Sequence, residues 1–335
     1  MNPVTFEQIN TDIRNKVYAP FYFLMGEEPY FIDSISDLLE DTVLEPSDKD
    51  FNLIVVYGRD VDVQSISNQA LSYPMTGNYQ LVIVKEAQDV KDIEKLEPLL
   101  TAIPKSTILV INYKYKKLDG RKNFPKQVAK HGVLFESKKL YDNNIPDWIV
   151  KYLQQRNYNI NQKACQMLAD YLGNDLHKIR NELEKLMINL PVKSQISEDD
   201  VERNTGISKD FNIFELQKAL SRKDILKANQ IINHFGANVK DNPIQMIVVL
   251  LYGYFLKVLK IHYAPDKSKN AIAGLLGVNP FFLEDYLTAS RNYSIGKLVE
   301  IIALLREYDL KGKGLGSQNI EAGELYKEMI FKILH

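Results

Sequence analysis

Five short runs of apolar, β-branched or aromatic residues punctuate the first 140 positions: Phe21–Met25, Phe51–Tyr57, Leu81–Val84, Thr107–Asn112 and Val133–Glu136. Between them lie stretches with helical spacing, Tyr30–Val43, Val63–Leu71, Val90–Ala102 and Lys122–Lys130. Continuous apolar strands separated by helices predict a parallel sheet covered on both faces. Right-handed crossovers then give a doubly wound α/β layer.

After Leu140 the strand signal stops and the pattern becomes helical. Ile145–Gln155, Lys163–Leu172 and a helix opening at Asp175, a good N-cap, form a small module over about 141–208. Ser197 with Asp200 three positions on reads as a capping box. From Asn212 to the end helical spacing continues; Leu298, Ile301, Ile302, Leu305 and Tyr308 make one stripe. The reading is α/β plus all-α, in three parts: 1–140, 141–208 and 209–335.

At 335 residues the chain has room for two or three domains. Lys plus Arg (42) nearly cancels Asp plus Glu (43), so any basic surface must be local. The opening MNPVTFEQINTDIRNK is polar, with both signs of charge, unlike a secretory signal. The uncharged stretch from Asn242 to Leu256 is shorter than the ~20 apolar residues a bilayer demands, and is expected as a buried helix. One cysteine, Cys165, excludes an internal disulfide; within KACQMLADYL it reads as a buried structural thiol. A cytoplasmic, non-membrane protein is expected.

The strand-to-helix junction Gly26-Glu27-Glu28-Pro29-Tyr30 stands where a nucleotide-binding α/β domain carries its phosphate loop. Such a loop needs glycines, a Lys and Ser/Thr. Here there is one glycine, two carboxylates and no Lys. A magnesium-holding strand end is also missing: Leu81–Val84 runs into Lys85-Glu86-Ala87-Gln88. Glu86 alone reads as a solvated helix-start residue. The five histidines are scattered, and no metal-ligand spacing or hydrolase elbow occurs, so neither metal nor cofactor is expected. Gly312-Lys313-Gly314-Leu315-Gly316 follows a helix pattern and reads as an interhelical turn.

Two segments remain as candidates for binding. Lys114, Lys116, Lys117, Arg121, Lys122 and Lys126, interleaved with Tyr113 and Tyr115, combine cations with stacking faces, as nucleic-acid contacts do. The alternative is a solvated loop around Asp119. The segment Ala70–Tyr79 sets Leu71, Tyr73, Pro74 and Met75 beside the glycine turn at Gly77. An apolar loop tip is either a plug folded onto its own sheet or a knob for a protein partner, and composition leaves both open.

FYFLMGEEPYFID, SYPMTGNYQLVIVKEA, LVINYKYKKLDGRKNFPKQVAKHGVLFE, WIVKYLQQRNYNI, GNDLHKIRNELEKL, ISEDDVERNTGISKDFNIFELQKAL and the late DLKGKG follow one another in an order and spacing that resemble the delta-subunit family of bacterial DNA polymerase III. The resemblance covers nearly the whole chain. It implies an AAA+-like first domain without ATPase activity, a helical lid, and a C-terminal helical collar that joins the clamp-loader pentamer. Implied partners are the ring-shaped sliding clamp (beta), the tau/gamma ATPase subunits, delta prime, and primed DNA within the complex. The family's clamp contact falls on Met75 and Thr76, with Tyr73 and Pro74 beside them; Thr76 departs from the bulky apolar residue usual there. An active AAA+-type or nucleic-acid-dependent ATPase with a degenerate site is the competing expectation, which Gly26–Tyr30 opposes.

Overall fold

The computed structural model describes residues 4–315 and 321–335. Gly316 of the glycine stretch and the first three residues of the polar opening lie outside these. The chain divides into two compact units, residues 1–140 and 141–335.

In the first unit, β1 (Phe21–Gly26), β2 (Leu53–Tyr57), β3 (Gln80–Lys85), β4 (Thr107–Lys114) and β5 (Val133–Ser137) form one parallel sheet in the order β2-β3-β4-β1-β5. Its helices are α1 (Phe6–Arg14), α2 (Pro29–Thr42), the one-turn α3 (Lys49–Asn52), α4 (Val63–Ala70), the one-turn α5 (Leu99–Ala102) and α6 (Asn123–His131). β1, β3 and β4 are apolar on both sides because both faces are covered there, whereas Val55 and Tyr57 of the edge strand β2 are exposed. Phe21, Phe23 and Met25 of β1 face a core with Ile66, Leu96, Phe124 and Val128. Tyr22 and Leu24 face the opposite core with Ile9, Ile13, Ile32, Ile35 and Leu39.

Two expectations for this unit are corrected. The run expected from Val90 to Ala102 is not one helix but a 3₁₀ turn at Ile93–Leu96 followed by α5. Asp92 takes a left-handed φ of 53°, and Pro98 lacks the N–H a continuous helix would bond. Leu96, Leu99 and Leu100 are nonetheless buried, so the apolar spacing survives the break. The second strand starts at Leu53, not Phe51; Phe51 and Asn52 belong to α3, and Phe51 is exposed.

The second unit holds α7 (Ile145–Gln154), α8 (Gln162–Leu172), α9 (Leu176–Asn189), α10 (Glu198–Thr205), α11 (Ile213–Ser221), α12 (Ile225–Ala237), α13 (Ile244–His262), α14 (Lys269–Leu276), α15 (Leu283–Asn292), α16 (Ile295–Gly312) and α17 (Ala322–Leu334). Ile320, expected to open the last helix, is outside the described residues. Asp175 accepts the Lys178 N–H as N-cap, and the Ser197–Asp200 capping box is present. Strands do not end at Leu140: β6 (Asn159–Ile160) and β7 (Gln195–Ile196) pair in parallel, a ladder of two residues that is too short to leave a period in the sequence. α13 is long and apolar enough to cross a membrane by length and composition, with a mean hydropathy of 1.8. Ile247, Leu251, Phe255 and Val258 sit in the core of this unit against Leu298, Ile301, Leu305 and Tyr308 of α16. Cys165 is buried, and that burial pushes its thiol up to about 12.

Candidate functional site

Open parallel sheets bind ligands at the C-terminal ends of their strands, beside helix N-termini. Here that crevice fills itself. β1 ends on Gly26, whose φ of 131° and closeness to β5 admit no side chain; a Cβ would come within 2.0 Å of the Ser137 carbonyl oxygen. The Gly26 N–H donates to the Lys116 carbonyl at 3.1 Å, and the Glu27 N–H to the Ser137 carbonyl at 3.1 Å. Glu28, 4% exposed, caps α2 by accepting the Tyr30 N–H, and Pro29 opens that helix. The Gly26, Glu27 and Tyr30 amides at this turn already have partners, and a carboxylate occupies the helix mouth.

Lys114, level with Gly26 across the β1–β4 pairing, extends the closure. Its ammonium lies 2.8 Å from Asp33 Oδ1 on α2 and 2.8 Å from Glu86 Oε1 after β3. Gln88 donates to Glu86 and accepts the Lys114 N–H. Burial acts to lower the lysine's pKa, but the bonds to Asp33 and Glu86 outweigh it and hold it above the ordinary value. Burial likewise acts to raise that of Glu86, and the bonds from Lys114 and Gln88 hold it below. Glu86 is therefore not the solvated helix-start residue expected, but a left-handed residue (φ 53°) committed to an ion triad.

The triad removes Lys114 from the basic segment, a correction to that grouping. Arg121 pairs with Asp119 at 2.9 Å, Lys122 with Glu94 at 2.8 Å and Lys117 with Glu136 at 3.6 Å. Lys116 is exposed, its ammonium 3.5 Å from the Gln88 carbonyl oxygen. Tyr115 is exposed, whereas Tyr113 packs on Phe23. The segment is thus largely charge-compensated.

At the opposite, N-terminal edge of the sheet, the loop between α4 and β3 turns its apolar side chains outward. Tyr73 is 75% and Met75 77% exposed, Leu71 is exposed and Pro74 half-buried. The plug reading is thereby overturned: these side chains do not fold onto the sheet. The polar groups beneath hold the backbone. Asn52, buried at the entry to β2, accepts the Met75 N–H at 2.8 Å and donates to the Thr76 carbonyl. The Thr76 hydroxyl donates to Asp48 Oδ1 at 2.8 Å. Gly77 turns at φ 64° directly over Asp48, where a Cβ would meet Oδ2 at 2.4 Å. Thr107 donates to the Ser72 carbonyl at 3.1 Å.

Asn52, Asp48 and Asp33 escaped the sequence reading. Asn52 had a signal of its own: a carboxamide placed where an apolar strand begins, a position that burial penalises unless both its ends are bonded.

The model for "DNA polymerase III, delta subunit" matches residues 22–138, and that for "DNA polymerase III delta subunit, C-terminal domain" matches residues 210–330. The chain belongs to the DNA polymerase III delta subunit family. Among curated relatives, the DNA polymerase III subunit delta of Bacillus subtilis is 28% identical over 316 residues, covering 88% of each chain. The probable subunit delta of Aquifex aeolicus is 22% identical over 299 residues, covering 83% of this chain and 82% of its own. In fold, the chain is similar to the Bacillus subtilis DNA clamp loader delta protein, with a TM-score of 0.59 at 24% identity over 98% of this chain and 99% of that one. The first of the two family matches contains both ends of the sheet described above.

Proposed function

We propose that this chain is the non-catalytic subunit of a bacterial DNA polymerase III clamp loader that binds and opens the sliding clamp for loading on primed DNA. Membership of the delta family supports the loader role. The single observation that carries the clamp contact is the outward presentation of Tyr73 and Met75 on a loop tied down from below. Exposed apolar side chains on a fixed loop lose water and little conformational freedom when a partner's pocket receives them.

In this reading residues 1–140 bind the clamp through Tyr73, Pro74, Met75 and Thr76. Residues 141–208 are the lid, and 209–335 the collar that assembles with the tau/gamma ATPase subunits and delta prime, in the cytoplasm. Opening the ring calls for no bond-breaking chemistry: the subunit favours the open clamp by binding it better than the closed one. An AAA+-like ancestry without ATP turnover agrees with the occupied phosphate-loop position, where Glu28 and the triad stand. The competing active ATPase finds no free amide cradle at that turn among the described residues.

Retention of the purified chain by the immobilised sliding clamp of the same organism tests the proposal, with ATP turnover measured on the same sample. Clamp retention without turnover is expected. Turnover without retention reverses the assignment.

A further inference from the structure

Resting on that reading, the loop's polar underside points to a division of labour within it. We infer that Asn52, Asp48 and Thr76 are positioning residues that hold Tyr73 and Met75 in their binding geometry, and that Thr76 acts through its hydroxyl, as an anchor, rather than as part of the apolar wedge.

Three contacts carry this. The Asn52 carboxamide bonds two consecutive residues of the loop at once, accepting from the Met75 amide and donating to the Thr76 carbonyl. These two hydrogen bonds hold the peptide groups on either side of the Met75–Thr76 pair and hence set the direction of the Met75 side chain. The Thr76 hydroxyl is spent on Asp48, so its side chain is tied inward at the oxygen while remaining exposed as a residue. The left-handed turn at Gly77 lets Asp48 approach closely enough for this bond. All three contacts are made to Asp48 or Asn52, which precede the neighbouring strand, so the knob is referenced to the start of β2.

A pre-set loop surrenders less entropy on binding. Loss of one anchor then weakens binding although the Tyr73 and Met75 side chains are unaltered. Thr76→Val gives the sharpest test, because valine keeps the shape and removes the hydroxyl. As an anchor, Thr76→Val should lower affinity for the purified clamp about fivefold, one net hydrogen bond's worth, while Thr76→Ser restores it. As a wedge residue, valine would bind equally well or more tightly, which overturns the inference.

Asn52→Ala should weaken clamp binding to a similar degree, and should add nothing once Tyr73→Ala and Met75→Ala are already present, since it acts through them. Additive losses, or no loss at all, refute the positioning role and leave the clamp contact itself standing. A Tyr73→Ala/Met75→Ala variant that binds normally refutes both. Should Asn52→Ala fold poorly, hydrogen exchange at the Met75 amide of the unaltered chain decides: slow exchange supports the anchor, and exchange at a free-loop rate removes it.

Discussion

The two ends of the sheet in the first unit use the same kind of material for opposite purposes. At the C-terminal ends of the strands, Asp33, Glu86 and Lys114 converge on one another, and Glu28 covers the helix mouth. Polar groups there bond one another. At the N-terminal ends, Asn52 and Asp48 also make bonds to residues more than twenty positions away, but they bond the backbone and hydroxyl of a loop. What that arrangement leaves over is apolar and faces outward. Inward satisfaction closes one edge; at the other it creates a surface. The contrast shows how one sheet can close one edge with polar groups and present apolar side chains at the other.

The largest expected effect lies at the closed end. Lys114→Met would leave two carboxylates facing each other, each more than half withdrawn from water. Stability should fall by about 2 kcal/mol in denaturant unfolding, below the full value of a buried pair because Glu86 keeps 36% of its side-chain surface exposed. The pH dependence has two sides. The lowered pKa of Glu86 stabilises the fold above the ordinary glutamate value, a contribution lost as pH falls through its folded value. The raised pKa of Lys114 stabilises it below about 10.4, the ordinary lysine value, and is lost as pH rises beyond its folded value. The triad is at full strength at neutral pH, so the gap between Lys114→Met and the unaltered protein should narrow as the solution is acidified toward pH 3. A constant gap would place the stability elsewhere.

At the open end the pattern inverts. Tyr73→Ala with Met75→Ala should weaken clamp binding at least about tenfold, or ~1.4 kcal/mol, with an unfolding midpoint unchanged, because both side chains are already in water. Lost stability with unaltered affinity would dissolve the contrast between the ends.

Glu28→Ala probes the closed end more gently. Removing a cap costs about 1 kcal/mol, which thermal unfolding can resolve. It should not confer ATP binding, since the Gly26 and Glu27 amides stay bonded to Lys116 and Ser137. Saturable ATP turnover by either form would reopen the crevice as a functional site.

The contrast also sorts what was legible from sequence. Strand and helix positions followed from local apolar spacing, and the caps at Asp175 and Ser197 from local chemistry. Those signals span a few residues. The longest expected helix broke where a left-handed residue and a proline intervened, at Asp92 and Pro98. The missing phosphate loop was readable because its absence is a local pattern too. The triad and the loop anchors were not, since Lys114–Glu86 spans 28 residues and Asn52–Thr76 spans 24. No periodicity reports which distant carboxylate a lysine will meet, or whether an apolar loop is held outward or folded in. Lys114 therefore looked like part of a basic surface, and Tyr73–Met75 could be read either way.

The smallest expected effect concerns that basic segment, where the comparison predicts near-silence. Among Lys114, Lys116, Lys117, Arg121 and Lys122, only Lys116 has no carboxylate within ion-pair distance among the described residues. A cation already paired with a carboxylate releases fewer counterions when a phosphate approaches, because it must first exchange one anion for another. Each phosphate newly neutralised on duplex DNA changes the salt slope of binding by about 0.9. Replacing Lys116, Lys117, Arg121 and Lys122 together by Ala in the assembled loader should therefore reduce that slope on primed DNA by about one, the share of Lys116, rather than by four. Lys116→Ala alone should reproduce most of the change. The exposed pairs at Lys117, Arg121 and Lys122 contribute little to the fold, so the quadruple variant should remain stable enough for the measurement to be clean. A slope reduced by three or more would mean that these pairs open toward DNA, and that the C-terminal edge presents a second working surface.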